Sequence, residues 1–166
     1  MIPVMKRKNL IVGQSGGPSV AINATLAGVI AAAQKNSCID KIYGSKNGIE
    51  GILRETIVDL TDFDDLEKLK STPAMALGSC RFKLPDELHT QTYQQIAETL
   101  KKYEIGYVIY IGGNDSMDTV SKLADFFSED PEAPMLIGLP KTIDNDLAGT
   151  DHTPGYGSAA KYLAVT

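Results

Sequence analysis

The chain has 166 residues, enough for one compact domain with a core of its own, and its 43% hydrophobic and 22% charged residues are ordinary for a globular protein. Its formal net charge of −5 leaves no basic excess for a nucleic-acid backbone or an anionic membrane, although a local phosphate site needs only a few donors. No apolar run approaches the roughly 18 residues of a membrane span. Leu10-Ile11-Val12, behind Lys6, Arg7 and Lys8, is too short for a signal-peptide core. Cys38 and Cys80 form no CxxC pair, and a reducing cytoplasm is the simplest home for such thiols.

In chain order, residues 9–12 read as a buried strand ending at Gly13, and 19–35 as a helix rich in Ala, Ile, Leu and Val. A short strand follows at 41–45, another at 57–60, and a short polar helix at 64–70. Residues 85–103 form an amphipathic pattern with Pro85 at its start and Gly106 just past its end. Residues 107–111 are an apolar strand of the buried parallel type, 116–127 a helix, 135–139 the last strand, and 155–164 the opening of a further helix.

This alternation predicts an α/β domain with a doubly wound, mainly parallel sheet and helices on both faces. Ligands of such sheets sit outside the carboxyl ends of the strands, where each unusual loop of this chain falls. The last helix meets Thr166 without a Gly or Pro stop signal, so residues 1–166 read as one domain cut from a larger protein.

Three loops carry chemistry. Gly13-Gln14-Ser15-Gly16-Gly17-Pro18-Ser19 joins a strand to a helix, where glycines let backbone amides approach an anion. It is neither GxGxxG nor GxxxxGK[ST], and a turn that only packs the helix on the sheet is the alternative. In Gly112-Gly113-Asn114-Asp115-Ser116, Ser116 can cap the helix or bond a phosphate oxygen. Asp115 is odd beside an anion: it binds a cation, pairs with a base, or excludes something. In Pro140-Lys141-Thr142-Ile143-Asp144-Asn145-Asp146, two carboxylates can share a metal and a general-base role. Lys141 offers a point charge for phosphate and Thr142 a hydroxyl, though a surface Asx turn is the plainer alternative. Together the loops supply what phosphoryl transfer needs: charge neutralisation, positioning and one base.

On these residues the chain resembles the 6-phosphofructokinases, over essentially its whole length, as their N-terminal half. Ser15-Gly16-Gly17 with Asn23-Ala24 is similar to the family's first phosphate loop, and Leu77-Gly78-Ser79-Cys80-Arg81 to its glycine-serine-x-arginine loop. Gly112 to Ser116 resembles its GGDxS loop, and Pro140 to Asp146 with Gly149-Thr150-Asp151 resembles its catalytic stretch. The resemblance implies that Asp144 takes the proton from the sugar's 1-hydroxyl. Thr142 would lie against the transferred phosphoryl and the sugar phosphate. Gly16, Gly17, Arg81 and Ser116 would bind the donor's phosphates, and Asn114 and Asp146 would hold Mg²⁺. It implies fructose 6-phosphate as acceptor, a homo-oligomeric full-length enzyme, and a place in glycolysis.

The donor turns on two positions. ATP-using members have Gly where Asp115 and Lys141 stand, whereas pyrophosphate-using members resemble this chain at both. A carboxylate at 115 would repel the α-phosphate of ATP, and Lys141 would stabilise the leaving phosphate. The expectation is therefore pyrophosphate, with an ATP-dependent enzyme or an inactive regulatory homologue as alternatives. Asn114 departs from the family's usual Asp and removes one negative charge from the metal side. The fructose 6-phosphate half lies beyond this chain, so the piece alone is expected to be inactive. His89, inside the predicted 85–103 helix, reads as a solvated or packing residue, and His152 as a lining residue without a proton role.

Overall fold

A computed structural model describes residues 8–19 and 21–166; the basic stretch before Lys8, and Val20 within the predicted first helix, lie outside the described residues. The described strands are β1 (Lys8–Gln14), β2 (Ile39–Ser45), β3 (Ile57–Asp59), β4 (Ile105–Gly112) and β5 (Met135–Pro140), and the helices are α1 (Ile22–Gln34), α2 (Ile49–Leu53), α3 (Leu66–Ser71), α4 (Gln91–Lys102), α5 (Asn114–Phe126) and α6 (Tyr156–Val165). They form one five-stranded sheet in the order β3-β2-β1-β4-β5. Every pairing is parallel except β2 with β3.

The sheet is covered on both faces because its central strands are apolar at odd and even positions alike. Leu10 and Val12 of β1 pack with Ile22, Leu26 and Ile30 of α1 and with Leu69 of α3. Ile11, pointing the other way, packs with Ile52 of α2, Tyr93 and Ile96 of α4, and Leu123 of α5. The chain leaves β1 toward one face and β4 toward the other. Their adjacent carboxyl ends therefore open a crevice where the strand order reverses, the place such folds keep for ligands.

Most boundaries shift by a few residues, the predicted 85–103 helix shifts most, and α2 was not expected. The predicted 85–103 helix begins only at Gln91, behind Thr90 in an extended conformation. The segment before it is held by tertiary bonds instead: the Tyr93 hydroxyl donates to the Pro85 carbonyl at 2.7 Å, and Lys122 Nζ donates to Asp86 Oδ1 at 2.7 Å. His89 thus precedes the helix and is exposed. The same helix ends without Gly106; Glu104 takes the left-handed turn at φ 50°. Gly106 instead lies in β4, where a Cβ would come within 2.4 Å of the Lys8 side chain. Helix α2 is too short to show a period in the sequence and enters through Gly48 at φ 60°. Helix α1 starts at Ile22 behind Ala21, so Ser19 is not its cap. No helix among the described residues is long and apolar enough to cross a membrane.

Candidate active site

The first loop is set by a buried amide. Gln14, at the end of β1, is fully buried. Its Nε2 donates to the Ile22 carbonyl at 3.2 Å and to Asn23 Oδ1 at 3.1 Å, and its Oε1 accepts from the Leu77 amide at 3.0 Å. Asn23 reaches the same segment, donating to the Thr72 carbonyl at 2.9 Å and accepting from the Ala76 amide at 2.9 Å. Buried polar groups left unpaired are costly, so this closed network fixes the loop against residues 72–78. Beyond it, the Ser79 hydroxyl donates to the Gly16 carbonyl at 2.8 Å and the Ser15 hydroxyl to the Cys80 carbonyl at 3.3 Å. The Tyr110 hydroxyl accepts from the Ile49 amide at 2.9 Å beneath this junction, and burial pushes its phenol up to about 12.

Between loop one and segment 79–83 lies a cleft of about 740 Å³, lined among others by Gly16, Gly17, Arg81, Lys83, Asp115 and Thr119. Gly16 takes φ 82°, a region an L side chain resists, and both glycines are exposed to the cleft side. Lys141 enters from below. It is 7% exposed, and its Nζ lies 4.0 and 3.9 Å from where Cβ atoms would stand on Gly16 and Gly17. Burial pulls the Lys141 ammonium below its ordinary pKa, and the nearby Asp144 carboxylate pulls it partly back. A desolvated cation beside a glycine turn favours an anionic partner.

The second loop begins with a glycine that no other residue can replace: a Cβ on Gly112 would come within 2.1 Å of Ser116 Oγ and 2.8 Å of the Ser15 carbonyl oxygen. Helix α5 starts at Asn114 behind Gly113, so Ser116 is in its first turn and is not the cap. Ser116 is 2% exposed and packs between Gly112 and Gly16. Asp115 stands at the cleft, where its Oδ1 is 3.0 Å from Lys83 Nζ. Of the roles the sequence left open for Asp115, pairing with a base is the one observed.

The third loop continues from β5, with the Lys141 amide donating to the Gly112 carbonyl at 2.8 Å. Short polar side chains then shape it. Thr142 Oγ1 accepts from the Asp144 amide at 3.0 Å, and the Thr153 hydroxyl donates to the Thr142 carbonyl at 3.0 Å. Asn145, left-handed at φ 55°, accepts from the Thr153 amide at 3.0 Å and donates to the Asp151 carbonyl at 3.2 Å. Asn114 Nδ2 donates to Asp146 Oδ2 at 3.2 Å, joining the second loop to the third. The Thr142 hydroxyl and then the Asn114 amide hold the Asp146 carboxyl below the usual carboxylate range. Asp144 is exposed, and no hydrogen bond to its carboxylate occurs among the described residues. An unencumbered carboxylate beside Lys141 has the freedom a general base needs.

The fold therefore gathers Gly16, Gly17, Arg81 and Asp115 around the cleft, sets Lys141 against its glycine turn with Asp144 near that ammonium, and joins Asn114 to Asp146. Among the described residues no three His, Cys, Asp or Glu side chains cluster tightly enough to hold a metal alone. His152 is exposed and meets Tyr156 edge-on at 5.6 Å between ring centroids. Sequence reasoning missed Gln14, Tyr110 and Lys83. Gln14 and Tyr110 leave a trace, as polar groups in otherwise apolar strands; Lys83 looks like any surface lysine.

Residues 9–166 match the phosphofructokinase family, and the chain belongs to it. It is 42% identical over 167 residues to the pyrophosphate–fructose 6-phosphate 1-phosphotransferase of Halomonas elongata, a match taking in 98% of this chain and 40% of that protein. An ATP-dependent 6-phosphofructokinase of Glaesserella parasuis is 33% identical over 152 residues, covering 92% of this chain and 44% of that one. The crystal structure of a pyrophosphate-dependent phosphofructokinase from Nitrosospira multiformis superposes with a TM-score of 0.87 at 44% identity, over 95% of this chain and 40% of its own. The chain thus spans about 40% of the length of such pyrophosphate-dependent relatives.

Proposed function

We propose that residues 1–166 are the donor-binding domain of a pyrophosphate-dependent 6-phosphofructokinase, transferring a phosphoryl group reversibly from pyrophosphate to the 1-hydroxyl of fructose 6-phosphate. The observation that carries this reading is Lys141. Its buried ammonium lies against the Gly16-Gly17 turn, and that turn lines the same cleft as Asp115. A nucleotide needs room for an α-phosphate and a nucleoside where Asp115 stands, whereas two phosphates do not. The greater identity to the Halomonas elongata protein than to the ATP-dependent one supports the same donor.

In this reaction Asp144 accepts the hydroxyl proton as the sugar oxygen bonds to phosphorus. The bridging P–O bond of pyrophosphate breaks, and inorganic phosphate leaves with its charge met by Lys141 and the loop amides. Thr142 stands next to Asp144 to position the phosphoryl group. Arg81 binds donor phosphate from the cleft wall, and Ser116 supports Gly16 from beneath. Asp146 through its carboxylate, and Asn114 through its amide oxygen, would hold Mg²⁺, a metal content with one or two protein oxygens. The metal would supply charge neutralisation at the phosphates. Glycolysis is the setting such a reaction implies, in the cytoplasm, in a homo-oligomer whose remaining length supplies the fructose 6-phosphate site.

The test is a donor comparison on the full-length enzyme carrying this segment. Turnover with pyrophosphate and little with ATP is expected; robust ATP turnover with none from pyrophosphate overturns the reading. Asp144→Asn should cut turnover roughly 10²–10⁴-fold. The Asp115→Gly, Lys141→Gly double variant should gain some ATP use. The 166-residue chain assayed alone should give little or no turnover.

A further inference from the structure

Lys83 and Asp115 both line the cleft, and their side chains form an ion pair at 3.0 Å. Its backbone is anchored, because the next residue, Leu84, is 3% exposed and its carbonyl accepts from Lys122 Nζ at 3.3 Å. Its side chain is free to swing, since the Lys83 and Asp115 side chains are 69% and 75% exposed. The ion pair therefore spans the mouth of the cleft, between a fixed wall and the first turn of α5.

We infer that Lys83 is a further donor-binding residue: its ammonium leaves Asp115 and closes on the phosphate of pyrophosphate that is not transferred. This rests on the donor-site reading above. An ion pair this exposed shifts an equilibrium by no more than about fivefold, so breaking it is cheap. A charge-assisted bond to a phosphate oxygen is roughly twice as strong as a neutral one. Lysine suits the exchange, as a point charge on a flexible stem. Asp115, released, keeps its place at the mouth and turns to solvent.

The test titrates the ¹⁵N-labelled, deuterated full-length enzyme carrying this segment with pyrophosphate, without metal, and follows the Gly16 and Gly17 amides and the Lys83 Nζ resonance by NMR. The expected result is one shared Kd for all three. Lys83→Met should weaken that Kd about tenfold, Lys83→Arg should restore most of it, and Asp115→Asn should bind at least as tightly as the parent. If the loop amides shift in the parent but Lys83→Met binds equally well, this inference falls and the donor site stands. If Asp115→Asn weakens binding, the exchange is wrong. If no loop amide moves in the parent, the donor-site reading falls and takes this inference with it.

Discussion

β1 and β5 both pair in parallel with β4 and both end in a loop of the candidate site, yet they are built differently. Six of the seven residues of β1 are buried, and α1 after it buries Ile22, Asn23, Leu26, Ala27, Ile30 and Ala33. No residue of β5 is fully buried, and α6 buries none at all. The loop after β1 therefore rests on a two-sided apolar core and the closed Gln14–Asn23 network. The loop after β5 rests on hydrogen bonds among Thr142, Asn145 and Thr153. The Gly16-Gly17 part of the donor cleft thus rests on the packed side of the domain, while Lys141 reaches it from the loop after β5. Within these 166 residues the base and metal side has few apolar contacts, so in the chain studied by itself local opening costs least there.

That contrast can be broken by substitution. Ile11→Ala removes a side chain 1% exposed at the centre of β1 and should cost about 2–5 kcal/mol in global stability, read from the denaturant midpoint. A loss under 1 kcal/mol would mean the β1 side is less tightly packed than its burial implies. Thr153→Val leaves the Thr142 carbonyl without its donor. It should cost about 1–2 kcal/mol and should speed amide hydrogen exchange across residues 142–155 more than in β1. Uniform acceleration across both regions would show that the third loop shares the core's cooperativity. Leu163→Ser, at a side chain 77% exposed, should leave stability within about 0.5 kcal/mol.

The smallest effect is electrostatic and sharpens the contrast further. The folded Asp146 carboxyl titrates below the ordinary aspartate value of 3.8 because Thr142 and Asn114 donate to it. A depressed carboxyl pKa contributes stability above its unfolded value and loses it as pH falls through the folded one. Acidification from about pH 5 downward should therefore loosen the Asn114–Asp146 link before the core responds. The Asp146 carboxyl carbon followed by NMR should give a midpoint below 3.8, and Asn114→Ala should raise it toward that value. A midpoint at or above 3.8 in the parent chain would remove the bonds as its cause.

Most of the fold was legible in the sequence. The runs 9–12 and 107–111 are apolar without alternation, which only strands covered on both faces require. Helix 85–103 was half misread, because Pro85 and the amphipathic spacing suit a helix while the bonds from Tyr93 and Lys122 hold residues 85–90 outside one. The site's residue types were also legible, since glycines, a lysine and paired carboxylates at strand ends form a rare local pattern. Their depths were not. Nothing local distinguishes Lys141, 7% exposed, from Lys83, 69% exposed in its side chain.

The sequence by itself determined the layered α/β class, the three loops and the chemistry they offer, because periodicity and residue type are local properties. Only the tertiary structure decided which groups meet: Lys141 against Gly16 and Gly17, Asn114 against Asp146, and Lys83 paired with Asp115. Those contacts join residues far apart along the chain. The adjacency of β1 and β4, and the direction each loop leaves its strand, brings them together.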